Sequence, residues 1–172
     1  MARLHTTLLT LASATTVIGS LAGCKSQADV APASHAEVAD ASPRPAGKLR
    51  VVEAKEGSVD AVVKDALEGA RAEERTVVVY VGATWCEPCQ YFHHAAERGD
   101  LDAVFPHMTL LEFDLDRDRE RLAAAGYVSK YIPLFALPGP DGAASGKQVE
   151  GGIKGEGAVG YISGRLKQML SE

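Results

Sequence analysis

Two cysteines separated by two residues, Cys86 and Cys89, are the side chains of this sequence best suited to covalent chemistry. The apolar, β-branched run at residues 76–81 precedes them and predicts a strand that is buried on both faces. A short loop then leads into a helix that starts at about Cys86. The two sulfur atoms would lie one helical turn apart, where a disulfide can close without distorting the backbone. The spacing therefore predicts a redox-active dithiol.

The two cysteines of this pair differ in their predicted surroundings. Cys86 lies at the first turn, where unpaired backbone N–H groups and the positive end of the helix dipole stabilise a thiolate, so Cys86 is the expected nucleophile. Cys89, one turn further along, is the expected resolving thiol. Pro88 suits this first turn because no hydrogen bond is lost with its missing N–H.

Metal binding is the alternative chemistry for a Cys-x-x-Cys pair. Zinc ribbons need a second pair of thiolates or histidines at matched spacing, and the sequence contains no other Cys-x-x-Cys. His93 follows Cys89 by four residues and so lies on the same helix face, and Cys86, Cys89 and His93 together could hold a soft metal ion. We favour the simpler interpretation, in which His93 and His94 lie on an ordinary helix surface, and predict no metal site.

Residues 85–89, with the sequence WCEPC, follow the run VVVYV at residues 77–81. This combination resembles the WCxPC motif of the thioredoxin superfamily and its preceding strand. The resemblance covers roughly residues 49–172. It implies a three-layer α/β/α domain whose central mixed sheet has a parallel N-terminal part and an antiparallel C-terminal hairpin.

The same resemblance singles out residues for substrate binding. Ile132-Pro133 matches, in order and spacing, an Ile-Pro pair of thioredoxin-like proteins that has a cis peptide bond facing the cysteines. Backbone groups of Ile132 would then offer strand-like hydrogen bonds to a bound peptide. Trp85, Ile132 and Pro133 are therefore the expected substrate contacts. Leu134 stands where thioredoxins usually have threonine.

The resemblance implies the order β-α-β-α-β-α-β-β-α for the whole domain, and the residue patterns along the chain fit it. Gly99-Asp100 ends the helix that carries the cysteines, and the charged run at residues 116–121 predicts a solvated helix face. Strands are predicted at residues 49–53, 76–81, 108–114, 133–137 and 147–153, the last with a break at Gly151-Gly152. Helices are predicted at about 59–70, 86–98, from 116 onward and 157–170.

Resolution by Cys89 requires a group that accepts its proton. The resemblance implies a buried aspartate six residues before the first cysteine and a lysine on the third strand, but these positions carry Tyr80 and Glu112. We expect Glu112, as a partly buried carboxylate, to accept the Cys89 proton during catalysis. The alternative is that Glu112 is a solvated strand residue with no catalytic part.

The N-terminal sequence predicts export and lipidation. Arg3 precedes a mildly apolar run at residues 8–21, which ends in Leu-Ala-Gly-Cys and resembles a bacterial lipoprotein signal peptide. Residues 1–23 would be removed and Cys24 lipidated, which anchors the chain to a membrane of the bacterial cell envelope, facing the periplasm or the exterior. An ordinary secretory signal cut elsewhere and an uncleaved anchor are the alternatives. Lys25, where an aspartate would signal inner-membrane retention, favours the outer membrane.

Composition separates a linker from the domain and excludes one class of partner. Residues 24–48 are rich in Ala, Ser, Pro and Asp and predict a flexible linker, whereas residues 49–172 carry the domain. The formal charge is −5 and no run of five like charges occurs, so we expect no nucleic-acid partner.

These observations together predict an exported thiol–disulfide oxidoreductase that acts on protein thiols and disulfides. We expect a monomer whose only redox group is the Cys86–Cys89 pair, without a further cofactor. Glu87 disfavours the thiolate and so favours a reductase, which outside the cytoplasm needs a membrane electron donor. A copper-binding or copper-chaperone protein that uses the Cys-x-x-Cys pair, and a non-catalytic thioredoxin-like interaction module, are the two alternatives.

Overall fold

The computed structural model of the chain describes residues 47–172. The predictions for the signal peptide, for Cys24 and for nearly all of the linker lie outside the described residues. Nine elements follow one another in the predicted order. They are β1 (Arg50–Glu53), α1 (Val59–Ala72), β2 (Thr76–Gly82), α2 (Glu87–Glu97), β3 (Met108–Asp114), α3 (Leu115–Ala124), β4 (Leu134–Pro138), β5 (Ala144–Glu150) and α4 (Ala158–Ser171).

The strands form one mixed sheet in the order β1-β3-β2-β4-β5. β1 and β2 both pair with β3 in parallel, and β4 pairs antiparallel with both β2 and β5. The predicted parallel N-terminal part and antiparallel C-terminal hairpin are therefore confirmed. β2 is the central strand, so the chain that leaves its C-terminal end emerges at the middle of the sheet.

Helices cover the sheet on both faces, as the three-layer prediction requires. Side chains alternate along β2, so that Val78 and Tyr80 pack on one face while Val77 and Val79 pack on the other. The first face carries buried residues of α2 and α4, and the second carries buried residues of α1 and α3. The prediction that this strand is buried on both faces is confirmed. None of the helices within residues 47–172 has the length and apolar character needed to cross a membrane.

The last strand lies three residues earlier than predicted. β5 covers Ala144–Glu150 instead of residues 147–153, because Gly151 leaves the extended conformation at a φ of 74°. The Gly151 N–H donates to the Pro133 carbonyl oxygen at 2.8 Å, which holds the end of β5 against the start of β4.

The charged run of α3 is not the fully solvated face that its composition predicted. Asp118 is only 1% exposed, and its carboxylate accepts hydrogen bonds from Arg117, from Arg121 and from the Asp114 backbone N–H at 2.9–3.0 Å. Burial raises the pKa of Asp118, but the hydrogen bonds from Arg117 and Arg121 outweigh it and leave the pKa below its ordinary value. Two arginines thus make a buried carboxylate compatible with the fold.

Candidate active site

The cysteine pair connects the end of β2 to the start of α2. Cys86 is the N-cap residue of α2, and its sulfur accepts a hydrogen bond from the Cys89 backbone N–H at 3.3 Å. A disulfide joins Cys86 to Cys89, and their Cα atoms are 5.2 Å apart. The spacing of the two residues therefore places both sulfurs at one helix N-terminus and within bonding distance, as predicted.

The two cysteines contact different cavities. Both are buried, with exposed fractions of 5% for Cys86 and 3% for Cys89. Cys86 lines a cavity of about 530 Å³ together with Trp85, Pro88, Tyr131 and Ile132, which we name the Trp85 groove. Cys89 lines a separate cavity of about 360 Å³ together with Tyr80, Gln90, His93 and Glu112, which we name the Glu112 pocket. The expected nucleophile and the expected resolving thiol thus have separate surroundings.

The predicted substrate contacts surround Cys86. Trp85 is 62% exposed, and its indole N–H donates to the Asp116 carboxylate at 2.8 Å. Ile132 packs against the cluster that contains both cysteines, and the Ile132-Pro133 peptide bond is cis, as expected. The structure thus brings Trp85 and Ile132 to the nucleophile, and Pro133 follows Ile132 in the chain. The contact of all three residues with a substrate stays a prediction.

Tyr80 occupies the sheet position at which an acid was expected. Its ring stacks on Phe135 with 4.9 Å between ring centroids, and its hydroxyl donates to the Cys89 carbonyl oxygen at 3.4 Å. Burial, and then the negative charge of Glu112, raises the pKa of Tyr80 well above its ordinary value. The phenol therefore stays protonated and is a donor, so it cannot accept a proton from Cys89 near neutral pH.

Glu112 lies beside Tyr80 because β2 and β3 pair in parallel with these two residues in register. One Glu112 carboxylate oxygen lies 3.2 Å from the His93 Nε2 atom. The side chains of Glu112 and His93 are 27% and 31% exposed, so both are half-buried and border solvent. Glu112 and Cys89 line the same cavity, and the part of Glu112 as a proton acceptor stays a prediction.

The position of the disulfide and the sheet order together identify the fold. The disulfide begins the helix that follows the central strand β2, which pairs in parallel with β3 on one side and antiparallel with β4 on the other. The described residues form a thioredoxin-like domain. This assignment rests on the strand order and the site geometry of the chain itself.

Solved structures of thioredoxins are similar to this thioredoxin-like domain. Fasciola hepatica thioredoxin matches with 20% identity and a TM-score of 0.46, over 71% of this chain and 96% of that one. Trichomonas vaginalis thioredoxin matches with 21% identity and a TM-score of 0.45, over 70% and 96%. Thioredoxin O1 from Arabidopsis thaliana in the oxidized state matches with 18% identity and a TM-score of 0.44, over 73% and 96%. No protein-family model and no curated protein matches the chain.

A group of side chains on α2 of the thioredoxin-like domain could hold a metal ion. Within residues 47–172, potential ligand atoms of His93, His94 and Glu97 lie within 4.8 Å of one another. The hydrogen bond with His94, and then the charge of His93, lowers the pKa of Glu97. The Cys86–Cys89–His93 set considered from the sequence is not assembled in this form, because the two sulfurs are bonded to each other and His93 contacts Glu112.

His93 is the residue of the site whose surroundings the sequence interpretation missed. Its spacing of four from Cys89 correctly indicated a shared helix face. Nothing in the local sequence indicated that the Glu112 carboxylate of a different element would lie against that face. The pairing register of β2 and β3 produces the contact, and this register is a property of the assembled sheet.

Proposed function

We propose that this chain is an exported, membrane-tethered thiol–disulfide oxidoreductase that reduces disulfides of other proteins. The observation that carries the proposal is the Cys86–Cys89 disulfide at the N-terminus of α2, with Cys86 open to the Trp85 groove and Cys89 to the Glu112 pocket. Such a pair carries two electrons: it holds them as two thiols and gives them up when the disulfide closes.

The reaction has two exchange steps. The Cys86 thiolate attacks one sulfur of the substrate disulfide, which forms a mixed disulfide and releases the first substrate thiolate, to be protonated by water. Cys89 then loses its proton and attacks the Cys86 sulfur, which breaks the mixed disulfide and releases the second substrate thiolate. Two electrons have passed to the substrate, and the oxidised Cys86–Cys89 disulfide remains.

Glu112 is the group that we assign to the second step. It lines the same pocket as Cys89, it is half-buried, and its contact with His93 keeps the carboxylate at the pocket wall. The neighbouring Tyr80 is a neutral donor and cannot compete for the proton. A proton that reaches Glu112 can leave to solvent, because both Glu112 and His93 are partly exposed.

The reducing direction is supported by the charge next to Cys86. Glu87 begins α2, and a carboxylate at this position opposes formation of a neighbouring thiolate, which makes the pair a weaker oxidant. A reductase must regain two electrons after each turnover. Outside the cytoplasm we assign this supply to a membrane-bound protein dithiol.

Tethering is inferred from the sequence of the N-terminus. A lipidated Cys24 would hold the chain at the membrane of the cell envelope. A flexible linker of the length of residues 24–48 has a root-mean-square span of about 25–30 Å, so the domain could reach substrates near the membrane surface.

Trapping with the Cys89→Ser variant tests the proposed function. Without its resolving thiol the chain should accumulate mixed disulfides on Cys86 that dithiothreitol releases, and mass spectrometry of these adducts would identify the partners. The matched control is the double variant Cys86→Ser/Cys89→Ser, which should trap nothing. If the single variant forms no adduct and the wild-type chain does not reduce insulin with dithiothreitol, the protein is a non-catalytic interaction module instead.

A further inference from the structure

Three cationic side chains line the Trp85 groove next to the expected nucleophile: Arg119, Lys130 and Lys154. Each comes from a separate part of the chain, namely α3, the segment before β4 and the loop between β5 and α4. All three are exposed. Within residues 47–172, neither Arg119 nor Lys154 makes an ion pair, and the Lys130 ammonium lies 5.3 Å from the centre of the Tyr131 ring. Their charges are therefore available to a bound partner.

The carboxylates around this groove are engaged within the domain. The Glu87 carboxylate accepts a backbone N–H of the loop before α4 at 3.0 Å. The Asp116 carboxylate accepts the Trp85 indole N–H at 2.8 Å, and Glu150 accepts the Lys130 backbone N–H at 2.8 Å. These hydrogen bonds hold the carboxylates in place without cancelling their charges. Among the residues that line the groove, Arg119, Lys130 and Lys154 are cationic and Glu87 is anionic, so the lining carries a net positive charge.

Apolar surface suited to an extended peptide accompanies these cations. Trp85 and Tyr131 are 62% and 57% exposed, and both line the groove beside Cys86. Exposed aromatic side chains with a charged rim are typical of protein recognition surfaces. The groove therefore combines contacts for the backbone and apolar side chains of a substrate with positive charges for its acidic side chains.

We propose that the Trp85 groove selects protein disulfides that are flanked by aspartate or glutamate residues. This inference rests on the proposed function and names its substrate class. The whole chain carries a formal charge of −5, so the positive groove is opposite in sign to the protein's net charge. The selection consequently acts at short range, and salt screens it because the Debye length is about 10 Å at 0.1 M.

Three disulfide-cyclised peptides test the selection. They are identical except for the two residues that flank each cysteine, which are Glu, Gln or Lys. The measurement is the second-order rate at which each peptide oxidises the reduced full-length chain, divided by its rate with dithiothreitol to remove differences in intrinsic reactivity. We expect the Glu peptide to exceed the Gln peptide, and the Gln peptide to exceed the Lys peptide, by about threefold to tenfold at each step. Added salt should reduce these ratios.

A triple variant assigns the preference to the groove. Arg119→Gln/Lys130→Gln/Lys154→Gln should bring the Glu-to-Lys ratio close to one. The matched control, Lys64→Gln/Arg71→Gln/Lys167→Gln, changes the net charge equally at exposed positions elsewhere and should keep the wild-type ratio. If the triple variant does not fold, Lys130→Gln and Lys154→Gln are compared singly with Lys167→Gln, and each should lower the ratio.

The outcomes separate this inference from the proposed function. Equal normalised rates for the three peptides, all of them reduced, overturn the charge selection and leave the reductase in place. A wild-type ratio in the groove variants also overturns it, because the preference would then arise elsewhere. If none of the peptides oxidises the chain, both the selection and the proposed function are wrong.

Discussion

The Nε2 atom of His93 on α2 lies 3.2 Å from the carboxylate of Glu112 on β3, at the wall of the pocket that Cys89 also lines. The two side chains come from elements that are separated in sequence, and their contact connects the surroundings of the resolving thiol to solvent. Whether Glu112 accepts the Cys89 proton can therefore be tested by replacing this one carboxylate.

We predict that Glu112→Gln slows resolution of the mixed disulfide by about tenfold to a hundredfold, because the amide keeps the shape of the side chain but cannot accept the Cys89 proton. Rapid quenching should show the mixed disulfide on Cys86 accumulating. Glu68→Gln, at an exposed position of α1, is the matched control. A variant that resolves as fast as the wild type would refute the assignment of Glu112.

Tyr80→Phe should change the same rate by less than about twofold, since the phenol is protonated throughout and takes no proton. Its hydrogen bond to the Cys89 carbonyl oxygen is long, at 3.4 Å, so its loss is a small perturbation of α2. The same rapid-quench measurement on Tyr80→Phe and Glu112→Gln compares the effects of the two side chains on the resolution rate. If Tyr80→Phe slows resolution strongly and Glu112→Gln does not, Tyr80 and not Glu112 acts in the resolution step.

The midpoint potential of the Cys86–Cys89 pair should lie nearer to about −270 mV, the value typical of thioredoxin, than to about −120 mV, the value of a strong oxidase. Glu87→Gln removes the negative charge beside Cys86 and should raise the potential by about 10–20 mV. Equilibrium titration against glutathione, followed by the fluorescence of the single tryptophan, measures both. A wild-type potential close to that of an oxidase would contradict the reducing direction.

Acid should destabilise the domain through Asp118. The folded-state pKa of this carboxyl is depressed, so its contribution is present above its unfolded pKa of about 3.9 and is lost as the pH falls through the folded value. Asp118→Asn should lower the free energy of unfolding at neutral pH by about 2–4 kcal/mol, because Arg121 loses its buried partner. Urea unfolding between pH 7 and pH 2 measures both effects, with Asp65→Asn as the exposed control. If Asp118→Asn and Asp65→Asn lose the same unfolding free energy on acidification, Asp118 does not cause the acid destabilisation.

The proposed lipidation of Cys24 predicts that Cys24→Ala releases the protein from the membrane, since the predicted signal offers a lipid no other attachment point. Fractionation of cells that produce either form, together with labelling by a fatty-acid analogue, measures the change. Ser26→Ala, two residues away, should remain in the membrane fraction and carry the label. Unlabelled wild-type protein would mean that an ordinary secretory signal or an uncleaved anchor is present.

The sequence by itself determined the chemistry and the layout of the domain. A spacing of three residues at a helix start predicts a disulfide because helix geometry is local. Apolar runs and stripes predict most of the strands and helices because each such element buries its own face, and the order of the nine elements is the one that the resemblance implies. The predicted end of β5 is three residues too late, because the strand ends where Gly151 takes a positive φ. Several glycines of that segment could equally have ended the strand.

Tertiary structure alone decided what surrounds each sulfur. The Glu112 pocket depends on the register between β2 and β3, and the positive rim of the Trp85 groove depends on three separate segments meeting beside Cys86. The buried Asp118 is a similar case, because its charged neighbours in sequence suggested a solvated surface. Contacts between distant segments follow from packing of the whole core, and no local pattern of residue types specifies them.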